Sequence, residues 1–165
     1  MRRPRDRRTG LYWEKKSNDG SIHDVDDIYS RRAPDDADDM TATGTAFAVF
    51  LAALNTPPCH GGFCDWRLPT ATELFSLVDL GRHDPAIASA FDTGCSPGCP
   101  SSTCSCTAAD RYWSSTTIED HPAFAWLVSF DRGFVYYGSL TWKTTQLHVR
   151  AVRGGANGEP PAGHR

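Results

Sequence analysis

Residues 65–74 read Asp65-Trp66-Arg67-Leu68-Pro69-Thr70-Ala71-Thr72-Glu73-Leu74, and the helix start encoded there frames the rest of the chain. Thr70 and Glu73 stand three apart at the head of a segment that carries Leu74, Leu77 and Val78 on one helical face. That is the pattern of a capping box, in which the Thr70 hydroxyl accepts from the amide of Glu73 while the Glu73 carboxylate accepts from the amide of Thr70. Pro69 cannot lie inside the helix and holds the chain extended up to the cap.

Working outward, Ala46 to Leu54 is apolar at almost every position, the composition of a helix buried on all sides; Thr45 can cap its start and Pro57-Pro58 stops it. Upstream, Leu11-Tyr12-Trp13 reads as a short strand, and 17–39 as a solvated acidic loop containing Asp24, Asp26, Asp27, Asp35, Asp36, Asp38 and Asp39. These carboxylates lack the spacing of a known calcium loop, and the sequence leaves calcium binding there open. Downstream, Asp84-Pro85 predicts an N-cap and first helical residue for a short turn over 86–91. From Tyr112 onward the chain turns to strands: 112–117, 123–130 with Trp126, Val128 and Phe130 on one side, a turn at Arg132-Gly133, then 134–138 and 148–152. Helices followed by antiparallel strands is an α+β order.

Five ordered motifs resemble the Lcl C-terminal domain family, long known as a domain of unknown function. They are Thr9-Gly10-Leu11-Tyr12-Trp13-Glu14-Lys15-Lys16, Thr43-Gly44-Thr45-Ala46-Phe47, the Trp66-Arg67-Leu68-Pro69-Thr70 stretch through Leu74, Tyr112-Trp113-Ser114-Ser115-Thr116, and Val149 through Gly155. The resemblance implies a C-type-lectin-like fold, two main helices packed on a small twisted antiparallel sheet with long disulfide-stapled loops, distantly similar to the formylglycine-generating enzymes. It implies that the first strand pairs near the C-terminus. One domain is expected over 9–155, flanked by a basic segment 1–8, read as a disordered tail or a misplaced start, and a disordered tail over 156–165. Within these motifs Trp66, Arg67, Thr70, Glu73, Trp113, Arg150 and Arg153 are read as structural, the arginines as ion pairs or backbone clamps.

The 165 residues carry a formal net charge of -3, against a surface that tracks nucleic-acid phosphates. No apolar run is long enough to span a membrane. Cys59, Cys64, Cys95, Cys99, Cys104 and Cys106 lie in Gly/Pro/Ser-rich loops. Their even number points to disulfides and an extracytoplasmic location, with no export signal visible in this chain. Zinc is the rival reading, disfavoured because the spacings form no Cys-x-x-Cys knuckle. Cys59 with Cys64 closes one small loop; Cys95 with Cys106 and Cys99 with Cys104 is the favoured nesting among three possible pairings.

For chemistry, Ser114, Ser115, His121 and His148 are available, but no nucleophile elbow, zincin motif, phosphate loop or dinucleotide fingerprint accompanies them. The sugar-binding triplets of calcium-dependent lectins are absent too. No cofactor or metal is called for. The function expected is a non-catalytic ligand-binding or adhesion module whose late strands offer Arg132, Tyr136, Tyr137, Trp142 and Lys143 to a glycan or protein partner. The alternatives are an unrecognised or degenerate enzyme of the formylglycine-generating type and a structural cell-envelope module. Nothing in the sequence sets an oligomeric state.

Overall fold

The computed structural model describes residues 5–37, 41–137 and 142–155. Strand β1 (Leu11–Trp13) pairs antiparallel with β5 (Val152–Gly154), joining the two ends of the described chain. A three-stranded antiparallel sheet of order β2-β3-β4 comprises β2 (Arg111–Ile118), β3 (His121–Ser129) and β4 (Phe134–Tyr136). The helical pieces are short. A π-helical stretch Ala46–Leu51 runs into α1 (Ala52–Asn55), and α2 spans Ala71–Phe75. The fold is thus a mixed helix and antiparallel-sheet domain. Its helices are short, a composite π and α run over 46–55 and the five residues of α2, rather than the two main helices expected.

The sheet is buried on both faces at one end. Alternation along β2 and β3 sends Trp113, Ala125 and Leu127 to one side, against Phe50 and Leu54 of the first helical segment and Leu68, Val149 and Ala151. Tyr112 and Val128, with Phe130 just past β3, go to the other, against Leu74 and Leu77 from α2 and the loop after it, Ile87, Phe91 and Trp13. The first helical segment is not buried all round. Ala46, Phe50, Leu51 and Leu54 face inward, while Ala48, Val49, Ala52 and Ala53 face out, so alanine supplied helix propensity rather than core.

Thr45 does not cap that segment; its Oγ1 accepts from the Ser30 amide at 3.0 Å. Gly44 explains the preceding motif. A Cβ there would lie 2.3 Å from the Arg31 carbonyl carbon and from Ser30 O, so only glycine lets the two backbones touch. The acidic loop is more than solvated chain. Ser17 bridges Asp24, Asp24 is buried and accepts from the Gly20 and Asp26 amides, and Tyr29 bridges Leu147 from within the core. Asp38 and Asp39 lie outside the described residues, as does the tail 156–165. From Arg5 the basic segment folds back: Arg5 bridges Tyr12 and the Asp6 amide donates to Leu11 O.

The expected helix at 86–91 shrinks to a 3-10 turn, Ser89–Phe91. Asp84-Pro85 is a cis peptide with Asp84 at φ 49, which no helix cap adopts. Beyond it Ala86 and Ile87 run extended; the Ala86 amide donates to Phe130 O, and Ile87 bridges Val78. The strand expected over 148–152 keeps its alternation, with Val149 and Ala151 in the core, but regular pairing begins only at Val152.

Candidate binding surface

The capping box forms as the residue pattern requires. Thr70 Oγ1 accepts from the Glu73 amide at 3.2 Å, and Glu73 Oε2 accepts from the Thr70 amide at 2.9 Å. The same carboxylate takes a two-pronged contact from Arg67, at 2.7 and 2.8 Å, and Arg67 reaches on to Gly154 O. Burial would raise the Glu73 carboxyl, but Arg67 and the Thr70 amide together hold it below its ordinary value. Arg153 makes a similar fork on Asp65, 2.6 and 3.3 Å, and lies 3.7 Å over the Phe63 ring. Trp66 Nε1 donates to His60 O, and Trp113 Nε1 to Tyr29 O.

Arg150 is fully buried. It donates to Glu14 O at 2.7 Å, to Cys106 O, and to Thr107 Oγ1 at 2.8 Å. Glu14 and Lys16, beside it, are as deeply buried, a feature the sequence reading missed. Glu14 Oε1 lies 3.3 Å from Lys16 Nζ and 2.7 Å from His23 Nδ1, and Oε2 accepts from the Ala151 amide at 2.9 Å. Burial pushes the Glu14 carboxyl up, and Lys16, His23 and the Ala151 amide outweigh it, so the group stays below the ordinary glutamate range. Burial pulls Lys16 down despite Glu14. Strict alternation from Leu11 and Trp13 would send Glu14 and Lys16 outward, and the chain departs from it after Trp13; two opposite charges placed two residues apart could have signalled such a pair.

The other end of the sheet is different. Cross-strand partners share a face, so the register Leu127 to Tyr136 and Val128 to Val135 puts Val135 and Tyr137 on the side of α2. Phe124 and Trp126 lie on that side by alternation. The five-residue α2 covers Val128 and meets this end only as the Phe75 wall of a groove. Trp126 meets Tyr137 with ring centroids 4.7 Å apart, and Phe124 meets Trp142 at 4.2 Å. Tyr137 is 52% exposed and Trp142 44%. A groove of about 360 Å³ continues the row between Trp126, Val135, Phe75 and Thr116.

Phe134 and Tyr136 project from the opposite face into a second groove, about 390 Å³, with Leu127, Arg111, Asp110 and Asp131. Of the late-strand residues singled out in the sequence, Tyr137 and Trp142 therefore join the aromatic platform, Tyr136 faces away from it, and exposed Arg132 stands at the turn at the far end of the hairpin. Lys143 is corrected: it is 2% exposed, inside the protein. Its carbonyl accepts from the Arg31 and Arg32 amides and its amide donates to Ala123 O, so a residue that stitches three segments turns its chain inward. Phe124 and Trp126 were missed because alternation on β3 reads equally well as core, and Phe75 because it lies off the Leu74, Leu77 and Val78 face of α2.

The serines of the Tyr-Trp-Ser-Ser motif are structural in their contacts. Ser114 Oγ donates to Trp126 O at 2.6 Å and accepts from the Thr116 amide, at a register shift in β2. His148 stacks on Tyr112 and lies 3.8 Å from Asp110; burial holds its imidazole below the ordinary histidine value.

All six cysteines are bonded: Cys59 to Cys64, Cys95 to Cys106 and Cys99 to Cys104, with Cα separations of 5.2, 5.3 and 6.0 Å. Three such bonds suggest an oxidising, extracytoplasmic environment. Among the described residues no helix is long and apolar enough to cross a membrane. No curated protein and no solved structure matches the chain significantly. The family model of the Lcl C-terminal domain matches residues 4–153, and the chain belongs to that family.

Proposed function

We propose that this domain is a non-catalytic extracytoplasmic recognition module, on a C-type-lectin-like scaffold, that holds a glycan or protein partner on the Phe124, Trp126, Tyr137 and Trp142 platform. The observation that carries the reading is the row of rings at one end of the sheet, where Tyr137 and Trp142 stand exposed over the half-buried Trp126 and Phe124. Aromatic side chains left in water have no folding use that a polar residue would not serve as well, whereas flat rings bury large area against a partner with little entropy loss. Phe124 and Trp126 are two residues apart on one strand, about 6.8 Å, and each is backed by a second ring. Such a row suits a chain of repeating units, sugar rings or alternating side chains, better than a compact metabolite. The two grooves are shallow troughs beside the β4 edge rather than a closed pocket.

The test is a glycan and protein array probed with the intact domain and with a Trp126→Ala, Tyr137→Ala variant. The expected result is a ligand class retained by the wild type and lost by the variant at unchanged circular dichroism. Equal binding by both, or binding by neither, overturns the assignment.

A further inference from the structure

The loop 93–107 brings two disulfides against each other. Cys99 Sγ and Cys104 Sγ each lie 3.8 Å from Cys106 Sγ, and the sulfurs of Cys95, Cys99 and Cys106 all lie within 4.8 Å of one another. A zinc tetrathiolate has Zn–S bonds of about 2.3 Å, which makes the sulfur–sulfur edge of its tetrahedron about 3.8 Å. The two contacts that Cys106 Sγ makes with the Cys99–Cys104 bond already have that spacing. We propose that reduction of these two bonds turns Cys95, Cys99, Cys104 and Cys106 into a tetrahedral thiolate site for a zinc-class divalent cation, so that one loop has two interchangeable staples.

The geometry does not depend on the sulfur bonds alone. Thr93 and Ser105 exchange both amide hydrogen bonds, each 2.9 Å, which keeps Cys95 beside the strand carrying Cys104 and Cys106. The Asn18 amide donates to Cys99 O and its carbonyl accepts from the Gly98 amide; the Cys104 amide donates to Pro100 O; the Cys106 amide donates to Lys16 O. The backbones of Cys99, Cys104 and Cys106 are therefore anchored without their disulfides, and Cys95 follows two residues after the Thr93 pairing. Three of the sulfurs are buried beside Val25, while Cys95 is exposed and gives a reductant or an ion its way in. The absence of Cys-x-x-Cys knuckles does not weigh against the site, since here tertiary contacts, not local spacing, bring the sulfurs together.

The chemistry balances. A dithiol reductant supplies two electrons and two protons per disulfide and is itself oxidised to a disulfide, giving four thiols. Binding of the cation releases four protons and leaves a site of net charge -2. The Arg150 guanidinium, which donates to Cys106 O, places positive charge beside it. Reoxidation by a disulfide-class oxidant, two molecules of which take up the four electrons and four protons from solvent and are reduced to thiols, restores the two bonds and expels the ion.

The experiment titrates cobalt(II) into the full chain, oxidised and after reduction with a phosphine, and follows the charge-transfer and ligand-field absorption of tetrahedral cobalt thiolate. The reduced chain is expected to bind one equivalent, displaced by zinc, and the oxidised chain none. Cys99→Ser, Cys104→Ser should abolish the bands, and Cys59→Ser, Cys64→Ser should keep them. Absent bands in the reduced wild type overturn the proposal, as do bands that survive in the Cys99→Ser, Cys104→Ser variant. Circular dichroism of the reduced wild type gives an independent reading: zinc should restore or preserve the native spectrum, and a chain that stays unfolded with zinc present also overturns it.

Discussion

The two ends of the β2-β3-β4 sheet are built from the same kind of residues and do opposite things. At the Tyr112 and Val128 end, aromatic side chains are sealed by α2, by β1 and by buried Arg150, which lies over the Phe91 ring and donates to Glu14 O; at the Phe124 and Trp126 end the same alternation leaves two half-buried rings under the exposed Trp142 and Tyr137. The difference lies in the cover, not in the strands. Helix α2 stops after five residues, and beside Trp126 it leaves an open groove walled by Phe75 and Thr116. A sheet end covered only by exposed rings is the part of a small domain that is free to take a partner.

The sealed end should be the sensitive one. Glu14→Ala leaves Lys16 buried without its carboxylate and frees the Ala151 amide, and breaking a buried pair in this way costs about 3–5 kcal/mol. Urea unfolding measures it; a loss below about 1 kcal/mol would show that the ionic contacts do not hold this end together. The same groups set a pH dependence. Glu14 and Glu73 both sit below their ordinary 4.5 in the folded chain, so their contribution is complete above that pH and drains away as pH falls through the folded values. Thermal melts should thus drop steeply on acidification below pH 4.5, and less steeply in a Glu73→Gln variant.

Next in size is the loop staple. Cys95→Ser, Cys106→Ser opens a ring of sequence separation 11, worth about 3 kcal/mol by loop-closure entropy, read from the urea midpoint under oxidising conditions. Thr70→Ala removes one half of the capping box and should cost about 1 kcal/mol, whereas Thr70→Ser should be close to neutral. The smallest effect is expected at the Trp126 end. Trp126→Ala with Tyr137→Ala should change stability by less than about 1 kcal/mol while removing the binding described above. A larger loss would mean that the platform serves the fold, and the contrast between the two ends would then fail.

The elements that could be read from residues alone are those with a local mechanism. The capping box at Thr70 and Glu73, the extended entry at Pro69, the stop at Pro57-Pro58 and the alternation of 123–130 each depend on neighbours within a few positions. The turn at Asp84-Pro85 was misread because proline at that place serves a helix start and a cis turn alike, and the pairing of Ile87 with Val78 decided between them. Thr45 was misread as a cap because its hydroxyl is taken by Ser30, fifteen residues away. The late-strand site was only partly visible: side-chain type marked Tyr137 and Trp142, but which face each residue took depended on pairing register.

Residue order therefore set the class of elements, the disulfide-rich loop and the family, since spacing, capping and cysteine number are properties of short stretches. Three-dimensional packing decided which charges went inside, which sulfurs met and where rings stayed exposed. Glu14, Lys16 and Arg150 are ordinary surface residues by composition; they are buried because distant segments converge on them and satisfy their hydrogen bonds. Phe124 and Trp126 are ordinary core residues by composition; they stay half-buried because their cover is a second, exposed ring, Trp142 and Tyr137, rather than a closed core.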